Sequence, residues 1–258
     1  MGNALQNLPL ERLGSCLERA IPGFRGLREA RKFPGGQSNP TFLLEAASGR
    51  YVLRRKPPGE LLKSAHAVDR EFRVIRALAG SAVPVPAALY LCDDDSVIGS
   101  MFYVMEHLDG RVLWEPTLPE LSNERRARVY DEMNRVLVAL HRVDPVAAGL
   151  AGFGQPGNYY ARQVSRWSKQ YRAAETTRVD AMERLMSWLE ARIPGDDGRV
   201  SLVHGDYRLD NLMFHPAEER IIAVLDWELS TLGHPYADLA YQCMQWRLPA
   251  GQAALRGL

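Results

Sequence analysis

The sequence predicts an α+β protein of two lobes, a small, mainly β lobe over residues 1–108 and a larger, mainly helical lobe over residues 109–258. Three observations predict it. The first part of the chain reads hairpin, helix, hairpin. After Leu108 apolar residues recur at helical spacing. Among those helices stand short apolar runs followed at once by acidic and amide residues, as strands that deliver side chains to a cleft would be.

In chain order, Leu13 and Leu17 follow Pro9 at helical spacing and predict a short packing helix from about Leu10. The turn-rich stretch Phe33 to Pro40 precedes Thr41-Phe42-Leu43-Leu44 and, past Ser48-Gly49, Tyr51-Val52-Leu53, which predicts a β-hairpin behind a glycine loop. Val68, Phe72, Ile75 and Leu78 form one stripe of an amphipathic helix whose Arg70, Arg73 and Arg76 are expected to face solvent. A second hairpin is expected from Ala88–Cys92 and 101–105 around Asp93-Asp94-Asp95. In the second lobe Ser122 is a candidate N-cap for a helix burying Val129, Met133, Val136, Leu137 and Leu140. A further helix over 180–191 carries Met182, Leu185, Met186 and Leu189. Short strands are expected at 200–203, Leu212–Phe214 and 221–225.

Composition narrows the class of function. With 46% apolar and 24% charged residues, the chain is an ordinary globular one, neither disordered nor collagenous. A formal net charge of +1 argues against nucleic acid, whose phosphates usually select a strong basic excess. The cysteines Cys16, Cys92 and Cys243 are too far apart for a zinc site and odd in number for a disulfide framework. No apolar run approaches the roughly 20 residues a membrane helix needs, and Gln6 stands where a myristoylation motif calls for serine or threonine. A cytoplasmic protein without a membrane anchor is the expectation.

The chemistry concentrates in Leu202-Val203-His204-Gly205-Asp206-Tyr207-Arg208-Leu209-Asp210-Asn211-Leu212 and in Leu225-Asp226-Trp227-Glu228. One tight loop carries a carboxylate and a carboxamide, and a second strand brings another carboxylate beside them. Phosphoryl transfer needs this set. A base must orient the attacking hydroxyl, which Asp206 can do, and hard oxygen ligands must hold magnesium, which Asn211 and Asp226 can do. The spacing His-x-Asp-x-x-x-x-Asn matches the catalytic loop of protein kinases.

These residues resemble the signature of the aminoglycoside phosphotransferase and choline kinase superfamily. Gly35-Gly36-Gln37-Ser38-Asn39-Pro40-Thr41-Phe42, the run from Tyr51 to Gly59 and the run from Asp226 to Pro235 are similar to a narrower branch, the kinase domain found alone in bacteria or fused ahead of an acyl-CoA dehydrogenase, as in acyl-CoA dehydrogenase family members 10 and 11. The resemblance spans about residues 22 to 250. It implies a protein-kinase-like fold, with ATP and magnesium as cofactors. It further implies that Gly35, Gly36, Gln37, Ser38 and Asn39 cover the ATP phosphates, and that Arg54 replaces the usual phosphate-gripping lysine with Glu71 as its partner. Met105, Glu106, His107 and Leu108 would form the adenine hinge, and Asp238 would brace the catalytic loop. For the acceptor it suggests a small-molecule hydroxyl, with a hydroxyacyl-CoA preferred and an acyl-CoA dehydrogenase as candidate partner. Relatives are expected to continue past Leu258 with helices that line the acceptor site.

Other readings carry different weights. A nucleotide-binding pseudokinase, or a kinase for aminoglycosides or another small alcohol, is the alternative. A metal hydrolase built on His204, Asp206 and His215 is poorer, because no second histidine-carboxylate cluster completes it. His204 is expected to fix its loop, and His66 and His215 to be surface residues. Arg55 and Lys56 are expected in solvent, Trp167, Trp188 and Trp246 in a core or lid, and Asp210 and Glu228 stand evenly between site and surface roles.

Overall fold

The computed structural model describes residues 8–34, 39–57 and 68–248. Helix α1 (Leu10–Ala20) buries Leu13, Cys16 and Leu17. It leads into β1 (Leu27–Lys32), β2 (Thr41–Ala46) and β3 (Gly49–Arg55), then α2 (Val68–Leu78), β4 (Ala88–Cys92), the one-turn helix α3 (Asp95–Ile98) and β5 (Phe102–Glu106). The five strands form an antiparallel sheet in the order β1-β2-β3-β5-β4. The expected hairpins are therefore present, with β1 added at one edge.

Alternation along β3 and β5 divides the small lobe into two faces. Leu53, Phe102 and Val104 pack with Leu13, Leu17 and Phe42 on the α1 side. Val52, Tyr103 and Met105 turn the other way, toward Phe72 and Ile75 of α2, and join the core of the large lobe through Met133, Tyr207 and Trp227. The same alternation sends Arg54 toward the interlobe side and Arg55 away from it. Arg55 is not solvated, however: it is buried, with Nε 3.0 Å from Ser100 Oγ.

The large lobe contains β6 (Arg111–Val112), α4 (Asn123–His141), α5 (Tyr159–Ala174), α6 (Asp180–Glu190), β7 (Ser201–Val203), β8 (Leu212–Phe214), β9 (Ile221–Val224), β10 (Thr231–Gly233) and α7 (Tyr236–Met244). Strands β6, β8 and β9 form one antiparallel sheet, and β7 pairs with β10. Ser122 caps α4 by accepting from the Arg125 amide, and α4 buries the five residues the sequence nominated.

Two expectations about surfaces change. Arg70 is no solvent arginine: its Nη2 donates to Phe153 O at 2.7 Å and to Ser230 O at 3.3 Å, and its guanidinium lies 3.9 Å from the Phe153 ring centre. Arg73 likewise donates to Gly149 O at 2.9 Å. Both span the lobes. Trp167, Trp188 and Trp246, expected in a core or lid, are 49%, 52% and 60% exposed. Of the apolar stripe on α6 only Met186 is buried. No described helix is long and apolar enough to cross a membrane.

Candidate active site

The catalytic loop leaves β7 at Val203 and is fixed at its base by one carboxylate. Asp238, buried in the first turn of α7, accepts the amides of His204 and Gly205 at 2.8 Å each and lies 3.0 Å from His141 Nε2. This is the bracing geometry the sequence resemblance implied for Asp238. His204 is fully buried, its Nδ1 facing the Asp206 amide at 3.2 Å and its Nε2 facing Leu225 O at 2.8 Å. Those partners make Nδ1 the acceptor and Nε2 the protonated nitrogen. Both ring nitrogens are thus engaged within the loop, as expected of a structural histidine, and neither is open to a metal. Gly205 has φ +86°, and a Cβ there would stand 2.7 Å from Leu229 O, so only glycine fits.

Asp206 and Asn211 face each other across the loop. Asn211 Nδ2 donates to Asp206 O and to Asp206 Oδ2, both at 2.9 Å. The carboxylate is thereby oriented, and the amide oxygen of Asn211 is turned away from it. Strand β9 buries Ile221, Ala223 and Val224, and Leu225 N then donates to Asn211 O at 2.9 Å, setting the two loops side by side. Asp226 follows in the left-handed region at φ +63°. For a non-glycine residue that conformation costs about 1–3 kcal/mol and is held by the surroundings, here the fully buried Trp227 with its indole bonded to Val224 O.

From the small lobe, Arg54 reaches across. Its Nε lies 3.0 Å from Glu71 Oε2 and its Nη2 2.8 Å from Asp226 Oδ1. Glu71 is fully buried and also accepts from Tyr103 Oη at 2.9 Å and Asn39 Nδ2 at 2.8 Å. Burial pushes the Glu71 carboxyl up to about 7, against the pull of Arg54. Burial also opposes the charge on Arg54, but Glu71, Tyr103 and Asp226 outweigh it and hold the guanidinium charged. Asn39 Nδ2 reaches Glu228 Oε2 as well, at 3.3 Å, which places Glu228 in the site and not on the surface. Gly35, Gly36, Gln37 and Ser38 lie outside the described residues.

These groups border a cleft of about 750 Å³ between the lobes. Val52, Ile75 and Met105 line it from the small lobe, and Met213 and Val224 from the large one. Glu106, His107 and Leu108 run along its edge. The Glu106 amide donates to Ala87 O at 2.9 Å, after which the chain leaves the ladder at His107 and Leu108. The sequence reading missed Tyr103, whose hydroxyl holds Glu71, because a tyrosine inside a strand reads as packing. It also missed Trp114, 75% exposed at the cleft.

The donors suit a hard divalent cation. Asp226 presents oxygen at the cleft with only Oδ1 paired to Arg54, and both Asn211 Nδ2 contacts go to Asp206, so its Oδ1 is the atom available for ligation. Among the described residues, Glu71, Asp226 and Glu228 also bring carboxylate oxygens within 4.8 Å of one another. No such group includes His215 among the described residues, and His66 lies outside them.

Comparison with known proteins gives the family. The chain is 50% identical over 247 residues to mouse acyl-CoA dehydrogenase family member 10, covering 94% of this chain but 23% of that protein. It therefore spans about a quarter of that relative's length. A Ralstonia eutropha crystal structure, provisionally named an aminoglycoside phosphotransferase, is 50% identical, with a TM-score of 0.86 over 98% of this chain and 74% of its own. The streptomycin–ATP ternary complex of APH(2")-IIa shares the fold at 20% identity, with a TM-score of 0.63 over 90% of this chain and 74% of its own. Residues 29–258 match the phosphotransferase enzyme family, and the chain belongs to that family, with the two-lobed fold of its small-molecule kinases.

Proposed function

We propose that the protein transfers the γ-phosphoryl group of ATP to a hydroxyl of a small molecule. The observation that carries this reading is the placement of Asp206. Its carboxylate is oriented by Asn211 and borders the same cleft as Asp226 and Arg54. In this reading the acceptor oxygen bonds to Pγ as the bond from Pγ to the bridging oxygen breaks. The electron pair stays on the β-phosphate of ADP, and the hydroxyl proton passes to Asp206. Asn211 and Asp226 would hold magnesium, which supplies charge neutralisation at the phosphates. Arg54, kept charged by Glu71 and Asp226, would grip phosphate from the small lobe, with Asn39 and its glycine-rich neighbours above. Residues 1–108 would serve the nucleotide and 109–258 the catalytic loop and acceptor, with adenine between Met105 and Met213 beside His107 and Leu108.

For the acceptor we infer a hydroxyacyl-CoA. Half-identity to a protein named an acyl-CoA dehydrogenase supports it. An acyl-CoA dehydrogenase is the corresponding partner, and a cytoplasmic setting suits both. Magnesium-dependent ADP release measured against a panel of hydroxyacyl-CoAs and aminoglycosides tests the reading. Turnover that depends on a hydroxyacyl-CoA is expected. Nucleotide binding without turnover on any acceptor would point to a binding module instead.

A further inference from the structure

Arg208 is a cleft residue of the catalytic loop to which the kinase reading gives no task. Its backbone is extended, at φ −148° and ψ 166°, between Tyr207 and Leu209, which are both buried in the large-lobe core. Alternation then directs the Arg208 side chain the other way, to the cleft it lines with Asp206, Asp210 and Asn211. There it contacts two carboxylates of its own loop. Nη2 is 2.9 Å from Asp210 Oδ2, a good ion pair, while Nε is 3.5 Å from Asp206 Oδ1. The second contact is too long for a hydrogen bond. Nε is also buried and, like Nε of Arg54, has no acceptor in hydrogen-bonding geometry. A buried N–H donor in that state is unfavourable, and an incoming anionic oxygen would relieve it.

The distribution of positive charge gives the same direction. Among the described residues that line the cleft, the arginines are Arg50, Arg54 and Arg208. Arg50 is tied at the exposed rim to Asp109, 2.6 Å away. Arg54 approaches from the small lobe and is committed to Glu71 and Asp226. Only Arg208 stands on the loop that carries the base. A phosphoryl group in flight spreads its charge over equatorial oxygens and passes toward that loop, and beside the magnesium that Asn211 and Asp226 would hold, Arg208 is the arginine of the described cleft lining on the arriving side of the path.

We propose that Arg208 is a catalytic cation for the transferred phosphoryl group, held between Asp206 and Asp210 until the nucleotide is bound. The proposal rests on the kinase reading above. When the guanidinium turns to the γ-phosphate, Asp206 Oδ1 is left to the incoming hydroxyl, so the same movement prepares the donor and the base.

Binding measurements separate this role from a structural one, since ADP lacks the phosphate in question. Calorimetric titration with magnesium and either the non-hydrolysable ATP analogue AMP-PNP or ADP would be run on the wild type and on Arg208→Met, Arg208→Gln and Arg208→Lys. The neutral variants are expected to lose about tenfold or more in AMP-PNP affinity while ADP affinity stays within about twofold, and lysine should restore most of the difference. Arg208→Gln retains a donor for Asp210 should the methionine variant not fold. An unchanged AMP-PNP to ADP ratio in the neutral variants, or equal loss for both nucleotides, would overturn the role of Arg208 and leave the kinase reading standing. A wild type that binds neither nucleotide would overturn both.

Discussion

Arg54 of the small lobe and Asp226 of the large lobe form an ion pair at 2.8 Å, and the same guanidinium meets Glu71 at 3.0 Å. One planar fork thus connects the strand, the helix and the loop on which the proposed chemistry depends. A lysine could not make both contacts with the same geometry, because an ammonium is a point charge on a flexible stem.

Arg54→Lys is accordingly expected to fold but to bind ATP about tenfold more weakly. Arg54→Met should destabilise the protein increasingly as pH rises through about 7, because the ionised form of the buried Glu71 then has no cation. Urea denaturation and nucleotide titration of the two variants check this. Equal stability of Arg54→Met and wild type would refute the account of the pair.

Asp206→Ala should reduce phosphotransfer by about 10²- to 10⁴-fold, the contribution expected of a positioned base. ATP binding should change little, because Asn211 keeps its second partner, the Asp206 carbonyl. Steady-state kinetics beside a binding isotherm read the two effects separately. Loss of nucleotide affinity as large as the loss of turnover would contradict the assignment of Asp206 as base.

Glu71 gives the stability a pH dependence. Its folded carboxyl is raised to about 7 from an ordinary value of 4.5, so between those limits the native state holds a proton that the unfolded chain releases. Stability from this group therefore falls as pH rises through that window. The stability difference between wild type and Glu71→Gln, followed by denaturation at pH 4.5 to 7.5, should move against the wild type as pH increases. A constant difference would count against the shift.

Asp238→Ala removes the acceptor of two loop amides and the partner of His141. With those donors stranded, a destabilisation of about 2–5 kcal/mol is expected, together with a fall in kcat that exceeds any change in ATP affinity. A variant as stable and active as the wild type would show that the loop is held by other contacts.

Much of this site was legible in the sequence, because its chemistry is local. His204, Asp206 and Asn211 belong to one loop, and their spacing alone brings them together. Asp226 follows a run whose apolar residues mark a buried strand. What could not be read were contacts between distant segments. Arg70 and Arg73 looked like solvent arginines because their carbonyl partners, at Phe153, Ser230 and Gly149, leave no periodic mark in the chain. Helix α5, where Tyr160, Val164, Trp167 and Tyr171 recur at helical spacing, is absent from the sequence expectation, and none of its residues is fully buried. Arg55 reads as a surface residue because nothing in its own segment reveals Ser100, the distant partner of its Nε.

The attachment of α2 to the large lobe decides which parts of the cleft can move. Arg70 and Arg73 bond backbone carbonyls across the lobe boundary, and α2 packs against the turn Trp227–Leu229 that follows Asp226. The same helix packs on β4 and β5, and its Glu71 holds Tyr103 of the sheet, so α2 is a post shared by the two lobes: the cleft cannot change width without loosening one set of these contacts.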